Sequence, residues 1–184
     1  MSVLAMTGCR AAPAVDAKVS PSASATTATP SAAVASGEST CKDAAGDSRS
    51  KAVDIDQIRL LSDGKLMFVV FNTVANVPTT GTVLYSVTAW SSDGKKGYEI
   101  GAKFRDGQEI ANFVYNLGTN QQENITNGAV AADKQVRTRY PLAALAGLGD
   151  KFGWYGAVTV DGAGVGTDVD RCPGGEAKTQ FPDA

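Results

Sequence analysis

The sequence predicts an all-β protein, an antiparallel β-sandwich of about eight strands with one short helix, preceded by a disordered tether. Apolar and polar residues alternate with a period of two along much of residues 53–160, as in strands that place one face on a core. Asp-Gly dipeptides separate several of these segments, and Asp-Gly is typical of tight hairpins. Helical segments do not alternate with the strands, as a parallel sheet would require.

Each predicted strand is bounded by a turn signal or a polar stretch. Residues 66–71 (LMFVVF) are apolar on both faces, which favours a central strand covered on both sides. Asp63-Gly64, Asp93-Gly94 and Asp106-Gly107 are expected to form hairpin turns. Residues 118–128 are polar and predict a turn region with a weak strand. The predicted strands span residues 53–61, 66–71, 82–90, 98–104, 111–117, part of 118–128, 135–140 and 152–160.

One segment predicts a short helix between the last two strands. Pro141 begins the segment PLAALAGLG, and proline suits the first position of a helix. Gly147 or Gly149 suits its end.

Composition excludes several classes of function. The 184 residues include 17 basic and 19 acidic residues, and the basic ones are scattered, which argues against a nucleic-acid partner. Histidine is absent, which removes Ser-His and Cys-His nucleophile pairs and histidine-bound zinc. Glycoside hydrolysis by paired carboxylates needs no histidine. Its candidates, Glu99, Glu109 and Asp106, do not differ from ordinary outward-facing charges, so no enzymatic activity is expected.

The first residues resemble a lipoprotein signal. Residues 3–9 (VLAMTGC) place a small residue, Gly8, directly before Cys9, and this segment resembles a bacterial lipobox. The resemblance implies that residues 1–9 are a signal stub and that Cys9 carries lipid. The protein is then extracytoplasmic, with the bacterial cell membrane as a partner through the lipid anchor.

A low-complexity tether is predicted over residues 10–40. Of the thirty residues from 11 to 40, twenty-three are Ala, Ser, Thr or Pro, and none is aromatic. Such a segment cannot bury enough apolar surface to offset its conformational entropy. As coil it reaches about 30 Å. The folded domain is therefore expected over 41–175, followed by a flexible tail over 176–184.

The remaining cysteines predict a disulfide. Setting Cys9 aside leaves Cys41 and Cys172, one at each end of the predicted domain. An even number of cysteines in an exported protein implies pairing.

The order of short motifs resembles the family 9 carbohydrate-binding modules and the DOMON-like domains. The motifs are Asp54-Ile55, the DGKL of 63–66, Tyr85-Ser86-Val87, the PLAAL of 141–145, Trp154 and the DRCP of 170–173. The resemblance implies a sandwich fold and a sugar held between two tryptophans, which would be Trp90 and Trp154, with Asp93 beside Trp90. Tryptophan more often packs in a core or against a sheet edge, and that interpretation of both residues is favoured. Haem is not expected, because that branch binds iron through Met and His.

The glycine-rich loop after the last strand carries Asp161, Asp168 and Asp170. Together with Asp54 and Asp56 on the opening strand, these oxygen ligands suit a structural calcium ion. Acidic turns are also common on antiparallel sheets without any metal, so both interpretations stand.

The function predicted is a non-catalytic binding module of the cell envelope, with carbohydrate as the ligand class and envelope polysaccharide as the partner. The alternative is a module that binds a surface protein, of the adhesin, inhibitor or exclusion type, with no sugar site. An exposed aromatic pair in a groove would favour sugar, and a flat apolar patch would favour protein.

Overall fold

Two antiparallel sheets pack over one core in the computed structural model, which describes Val34 and residues 36–126, 128–162 and 167–183. The predicted all-β sandwich is therefore confirmed. Cys9 and most of the predicted tether lie outside the described residues. Within the described part of the chain, no helix is long and apolar enough to cross a membrane.

Sheet A has the strand order β1-β2-β3-β9-β8. Its strands are β1 (Gly37–Lys42), β2 (Ile55–Ser62), β3 (Leu66–Thr73), β8 (Val130–Ala132) and β9 (Gln135–Pro141).

Sheet B has the order β11-β10-β4-β5-β6-β7, and β12 also pairs with β10. Its strands are β4 (Thr82–Ser91), β5 (Gly97–Arg105), β6 (Gln108–Asn116), β7 (Gln121–Asn124), β10 (Phe152–Val160), β11 (Asp170–Cys172) and β12 (Thr179–Phe181). The two short strands β12 and β11 pair with successive halves of β10.

The core follows from the period-two alternation of the strands. On β4, Val83, Tyr85 and Val87 face inward and are buried, while the residues between them face away from the core. The Tyr85 ring contacts Phe71 across the sandwich and Phe104 on the neighbouring strand, with ring centroids 5.4 and 6.2 Å apart. These edge-to-face contacts join the two sheets at the centre of the molecule.

The three predicted hairpin turns are present. Asp106 and Gly107 both have positive φ angles, 51° and 77°, as a two-residue turn between twisted strands requires. Gly64 and Gly94 also have positive φ angles. The Asp63 carboxylate accepts hydrogen bonds from the Lys65 and Leu66 amides at 2.8 and 2.7 Å, which fixes the β2–β3 turn.

The folded domain is longer than predicted at both ends. β1 begins at Gly37, inside the predicted tether, and β12 lies inside the predicted flexible tail. Phe181 of β12 stacks on Phe152 with centroids 4.7 Å apart, and Asp183 accepts hydrogen bonds from Ser39 and the Thr40 amide. The tail is ordered because it covers the edge of β10 and contacts β1. Strands of three residues are too short to show a periodicity.

The predicted helix is a single 3₁₀ turn, Leu142–Leu145, that follows Pro141. Leu142 and Leu145 are buried, so the turn is fixed by packing.

The predicted disulfide is confirmed. Cys41 on β1 and Cys172 on β11 are bonded, with Cα atoms 6.0 Å apart. Because β1 belongs to sheet A and β11 to sheet B, the bond joins the two sheets, at the first strand of the domain and the strand before its last.

Candidate functional site

The outer face of sheet B, turned away from the core, carries a concave surface. Register aligns its outward side chains in rows that cross β10, β4, β5 and β6. The rows are Tyr155–Thr88–Glu99–Tyr115, Ala157–Ser86–Gly101–Phe113 and Thr159–Leu84–Lys103–Ala111. The middle row has small side chains on β10 and β4, and on β5 the Phe113 ring lies over Gly101.

We call this concave surface the sheet B groove. Its volume is about 790 Å³, within the range of sites that bind small molecules. Ser86 and Thr88 are each only 7% exposed although they face outward, so they lie at its bottom. The polar lining consists of Thr82, Ser86, Thr88, Thr159, Tyr155, Lys103, Glu99, Asp161 and Asp168.

Tyr155 lies at one end of the groove, in a row of four side chains that each pack against the next. Its ring packs against Trp90, with centroids 5.7 Å apart and planes 29° apart. The Arg171 guanidinium lies 3.5 Å from the centre of the Tyr155 ring, and the Lys178 ammonium lies 4.1 Å from that of Trp90. Two cation–π contacts therefore hold the aromatic pair in place.

Trp90 lies flat over Gly97, its register partner on β5. A Cβ atom at Gly97 would lie only 2.9 Å from the indole, so glycine is required for this close approach. Trp90 is half-buried and lies outside the groove lining. It supports Tyr155 rather than forming a wall of the groove.

Two carboxyl groups in the groove have raised pKa values. Burial raises the pKa of Glu99, the neighbouring Ser86 hydroxyl opposes this, and the charge of Asp168 adds to it. Burial also raises the pKa of Asp168, against the opposing effects of Arg171, Arg49 and the Thr159 hydroxyl. The Arg49 guanidinium also donates a hydrogen bond to the backbone carbonyl of Asp168. Asp168 thus has cationic neighbours.

The expected clamp of two tryptophans is wrong. Trp154 is fully buried in the core, and its indole N–H donates a hydrogen bond to Ser39 Oγ at 3.0 Å. Trp154 pairs with the inward Ala89, whereas Trp90 pairs with the outward Gly153. The two indoles therefore lie on opposite faces of sheet B and cannot hold one ligand.

Asp93 lies in the exposed turn between β4 and β5, outside the groove lining. Its carboxylate accepts hydrogen bonds from Ser91 Oγ at 2.7 Å and from the Lys95 amide at 3.1 Å, and it pairs with the Lys95 ammonium at 3.4 Å. The Ser91 hydroxyl, then the Lys95 amide, lower the pKa of Asp93 to about 2. The contacts of Asp93 are with its own turn.

The expected calcium ligands Asp161, Asp168 and Asp170 do not form one group of metal-ligating carboxylates among the described residues, although Asp168 and Asp170 both line a surface depression beside Asp47. Asp161 and Asp168 line the sheet B groove. Asp170 is buried, and its carboxylate accepts hydrogen bonds from the Ile55 amide at 2.6 Å and the Arg171 amide at 2.9 Å. Asp170 pairs with the inward Val158 on β10, which places the Asp170 side chain on the core side of β11. Residues 163–166 of this loop lie outside the described residues.

Asp170 instead belongs to a second group, which we call the aspartate cluster: Asp43, Asp47, Asp54 and Asp170. Single carboxylate oxygens of Asp43, Asp47 and Asp170 lie within 4.8 Å of one another. Burial, then the charges of Asp170, Asp47 and Asp54, raise the pKa of Asp43 to about 6. One oxygen of Asp43 and one of Asp54 are buried without a hydrogen-bond partner among the described residues.

Sequence reasoning missed Asp43 and Asp47 as members of this cluster. A signal was available, because the predicted Cys41–Cys172 bond places Asp43 and Asp170 within two residues of a shared covalent link. Sequence reasoning also missed Ser86, Thr88 and Thr159. Their signal was the hydroxyl residues at alternate positions of two strands, on the face opposite to the apolar one.

No family model, curated protein or solved structure matches this chain.

Proposed function

We propose that this protein is a non-catalytic binding module of the cell envelope and that it binds a carbohydrate in the sheet B groove. The observation that carries the proposal is a groove of about 790 Å³ with buried hydroxyl groups at its bottom and carboxylates beside them. Serine and threonine hydroxyls both donate and accept hydrogen bonds, and carboxylates accept them. A sugar, whose hydroxyls also do both, complements such a surface.

The geometry favours recognition through hydrogen bonds rather than through a stacked aromatic platform. Tyr155 is the only aromatic residue that lines the groove within the described part of the chain. Arg171 and Trp90 both lie against its ring. Ser86, Thr88 and Glu99 lie in adjacent positions on two neighbouring strands, so one sugar unit can contact all three.

In this proposal the lipid anchor and the tether determine where in the cell the groove lies. In this proposal Cys9 is acylated and residues 10–36 link the membrane to β1. A reach of about 30 Å for such a coil brings the groove within the polysaccharide layer of the envelope. The protein is then extracytoplasmic, and its partner is that polysaccharide.

A protein partner is the alternative. A contiguous exposed apolar surface would support this alternative. The large apolar side chains that are exposed in the described residues are Val74, Ile110 and Val130. They lie in or beside three different strands of two sheets, which gives this alternative less support than the groove gives to a sugar.

A groove-filling variant tests the proposal. The full chain and its Ser86→Leu variant are applied to an array of bacterial and plant glycans, with Thr119→Leu, in the exposed β6–β7 turn, as the matched control. Leucine at position 86 occupies the bottom of the groove, so binding should be lost in that variant and kept in Thr119→Leu. Equal thermal stability of the two variants excludes misfolding. Unchanged glycan binding by Ser86→Leu would contradict the proposal.

We also propose that the aspartate cluster holds a structural calcium ion. Calcium takes carboxylate oxygens as ligands, and two buried oxygens in this cluster have no hydrogen-bond partner among the described residues. An ion there would offset the repulsion between the four carboxylates and link the loop after β1 to β11.

A further inference from the structure

The sheet B groove has an excess of negative charge. Glu99, Asp161 and Asp168 line it, and among its described lining residues the only cation is Lys103. The ion pairs among the described residues join Arg59 to Glu38 and Lys95 to Asp93. None of the three groove carboxylates therefore has an ion-pair partner in the described part of the chain.

Glu99 is the least compensated of the three. Asp168 has Arg171 and Arg49 near it, and both lower its pKa. No cation acts on Glu99 in this way, and burial together with the charge of Asp168 disfavours its ionised form. A half-buried carboxylate that lies beside hydroxyls and has no counter-ion is stabilised when a cationic ligand binds to it.

Lys103 is not the counter-ion of Glu99. It lies four residues beyond Glu99 on β5, and that spacing separates the two Cα atoms by about 13 Å. Gly101 lies between them on the same face, and the ring of Phe113 covers it. A Cβ atom at position 101 would lie only 2.7 Å from that ring. The Glu99 end of the groove is therefore open to a cation supplied by the ligand.

We propose that the ligand is a glycan with unsubstituted amino groups and that the Glu99 carboxylate binds one of its ammonium groups. Ser86 and Thr88 then bind the hydroxyls of the same sugar unit, next to Glu99. This inference rests on the proposed function and names the chemical class of the sugar. A charge-assisted hydrogen bond in a partly desolvated groove gives both affinity and discrimination against the N-acetylated sugar.

The test compares three probes by calorimetric titration of the full chain at a series of mildly acidic to neutral pH values, because the sugar amines must be protonated and the Glu99 carboxylate ionised. The probes are a β-1,4-linked glucosamine tetramer, its fully N-acetylated counterpart and tetralysine. The glucosamine tetramer should bind at least about tenfold more tightly than the other two, as loss of one charged hydrogen bond implies. The Glu99→Gln variant should lose that advantage, whereas Glu123→Gln, on the exposed edge strand β7, should keep it.

The outcomes separate this inference from the proposed function. Equal binding of the two sugar tetramers, both abolished by Ser86→Leu, would overturn the amino-sugar inference and leave a carbohydrate site. Binding of tetralysine as tight as that of the glucosamine tetramer would show that charge alone is recognised, and would overturn the inference. Binding of neither sugar tetramer would overturn the inference, and the glycan array then decides the proposed function separately.

Discussion

Trp90 stacks on Tyr155 on the outer face of sheet B, with ring centroids 5.7 Å apart. The pair belongs to neighbouring strands, β4 and β10, and Arg171 and Lys178 extend it at both ends. Tyr155 lines the groove while Trp90 does not. The tryptophan therefore acts on the groove through the orientation of the tyrosine.

Replacing Trp90 by alanine is expected to weaken glycan binding about two- to twelvefold, because an aromatic pair contributes roughly 0.5–1.5 kcal/mol beyond its buried area. The measurement is a titration with whichever glycan the array identifies. Asp93→Ala is the control, since Asp93 contacts only its own turn and its loss should leave affinity unchanged. An effect of Asp93→Ala as large as that of Trp90→Ala would place the site at the β4–β5 turn instead.

The C-terminal segment contributes to the stability of the domain. Phe181 is fully buried against Phe152, so Phe181→Ala should lower the free energy of unfolding by about 3–5 kcal/mol. Urea denaturation measures this. Gln180→Ala, at the exposed neighbouring position, should change it little. If both variants were as stable as the parent, the segment would be the flexible tail that the sequence predicts.

Calcium should stabilise the protein through the aspartate cluster. At a calcium concentration 100 times the dissociation constant, the gain is about 2.7 kcal/mol, seen as a higher melting temperature. Asp43→Asn should reduce this gain, because it removes a charged ligand of the cluster. Asp150→Asn, an exposed position outside the cluster, should keep it. A melting temperature that calcium leaves unchanged would argue against the ion.

Without divalent ions, the protein should become less stable as the pH rises from about 4 to 7. The pKa of Asp43 is raised to about 6 in the folded state, and that of Asp170 is also raised. The native state therefore binds more protons than the unfolded state in this window, and the free energy of unfolding falls as pH rises. Asp93, whose pKa is lowered to about 2, loses its contribution only below this window.

Urea denaturation at several pH values in calcium-free buffer measures the slope. Asp43→Asn should flatten it and should be more stable than the parent at pH 7. A parent protein that gains stability between pH 4 and 7 would contradict the raised pKa values.

The hairpins of the fold could be predicted because each depends on local residues. An Asp-Gly turn depends only on the φ angles of its own residues. The alternation of β4 likewise depends on ten consecutive residues. β11 and β12 have three residues each, and their pairing with β10 depends on contacts that are distant in sequence. The order of the C-terminal segment is likewise a consequence of packing between Phe181 and Phe152.

The sequence predicts the face of sheet B on which one tryptophan lies more clearly than the face of the other. The clear alternation of β4 places Trp90 opposite to Tyr85 and Val87, so its outward position follows from sequence. On β10 the outer face carries the large Tyr155 ring beside small residues, so its alternation is weaker, and its register with Ala89 places Trp154 inward. The groove depends on three strands in register, β10, β4 and β5, and the aspartate cluster depends on a disulfide that joins β1 to β11.

The most direct test of the central claim is an NMR titration of the isotopically labelled full chain with a glycan that binds on the array. Amide shifts should be largest for Ser86, Thr88, Glu99 and Tyr155, which lie in adjoining rows of the sheet B groove. Residues of sheet A, such as Arg59 and Arg137, should not shift. Shifts that cluster on sheet A, or the absence of any glycan that perturbs the groove residues, would contradict the assignment of this face as a carbohydrate site.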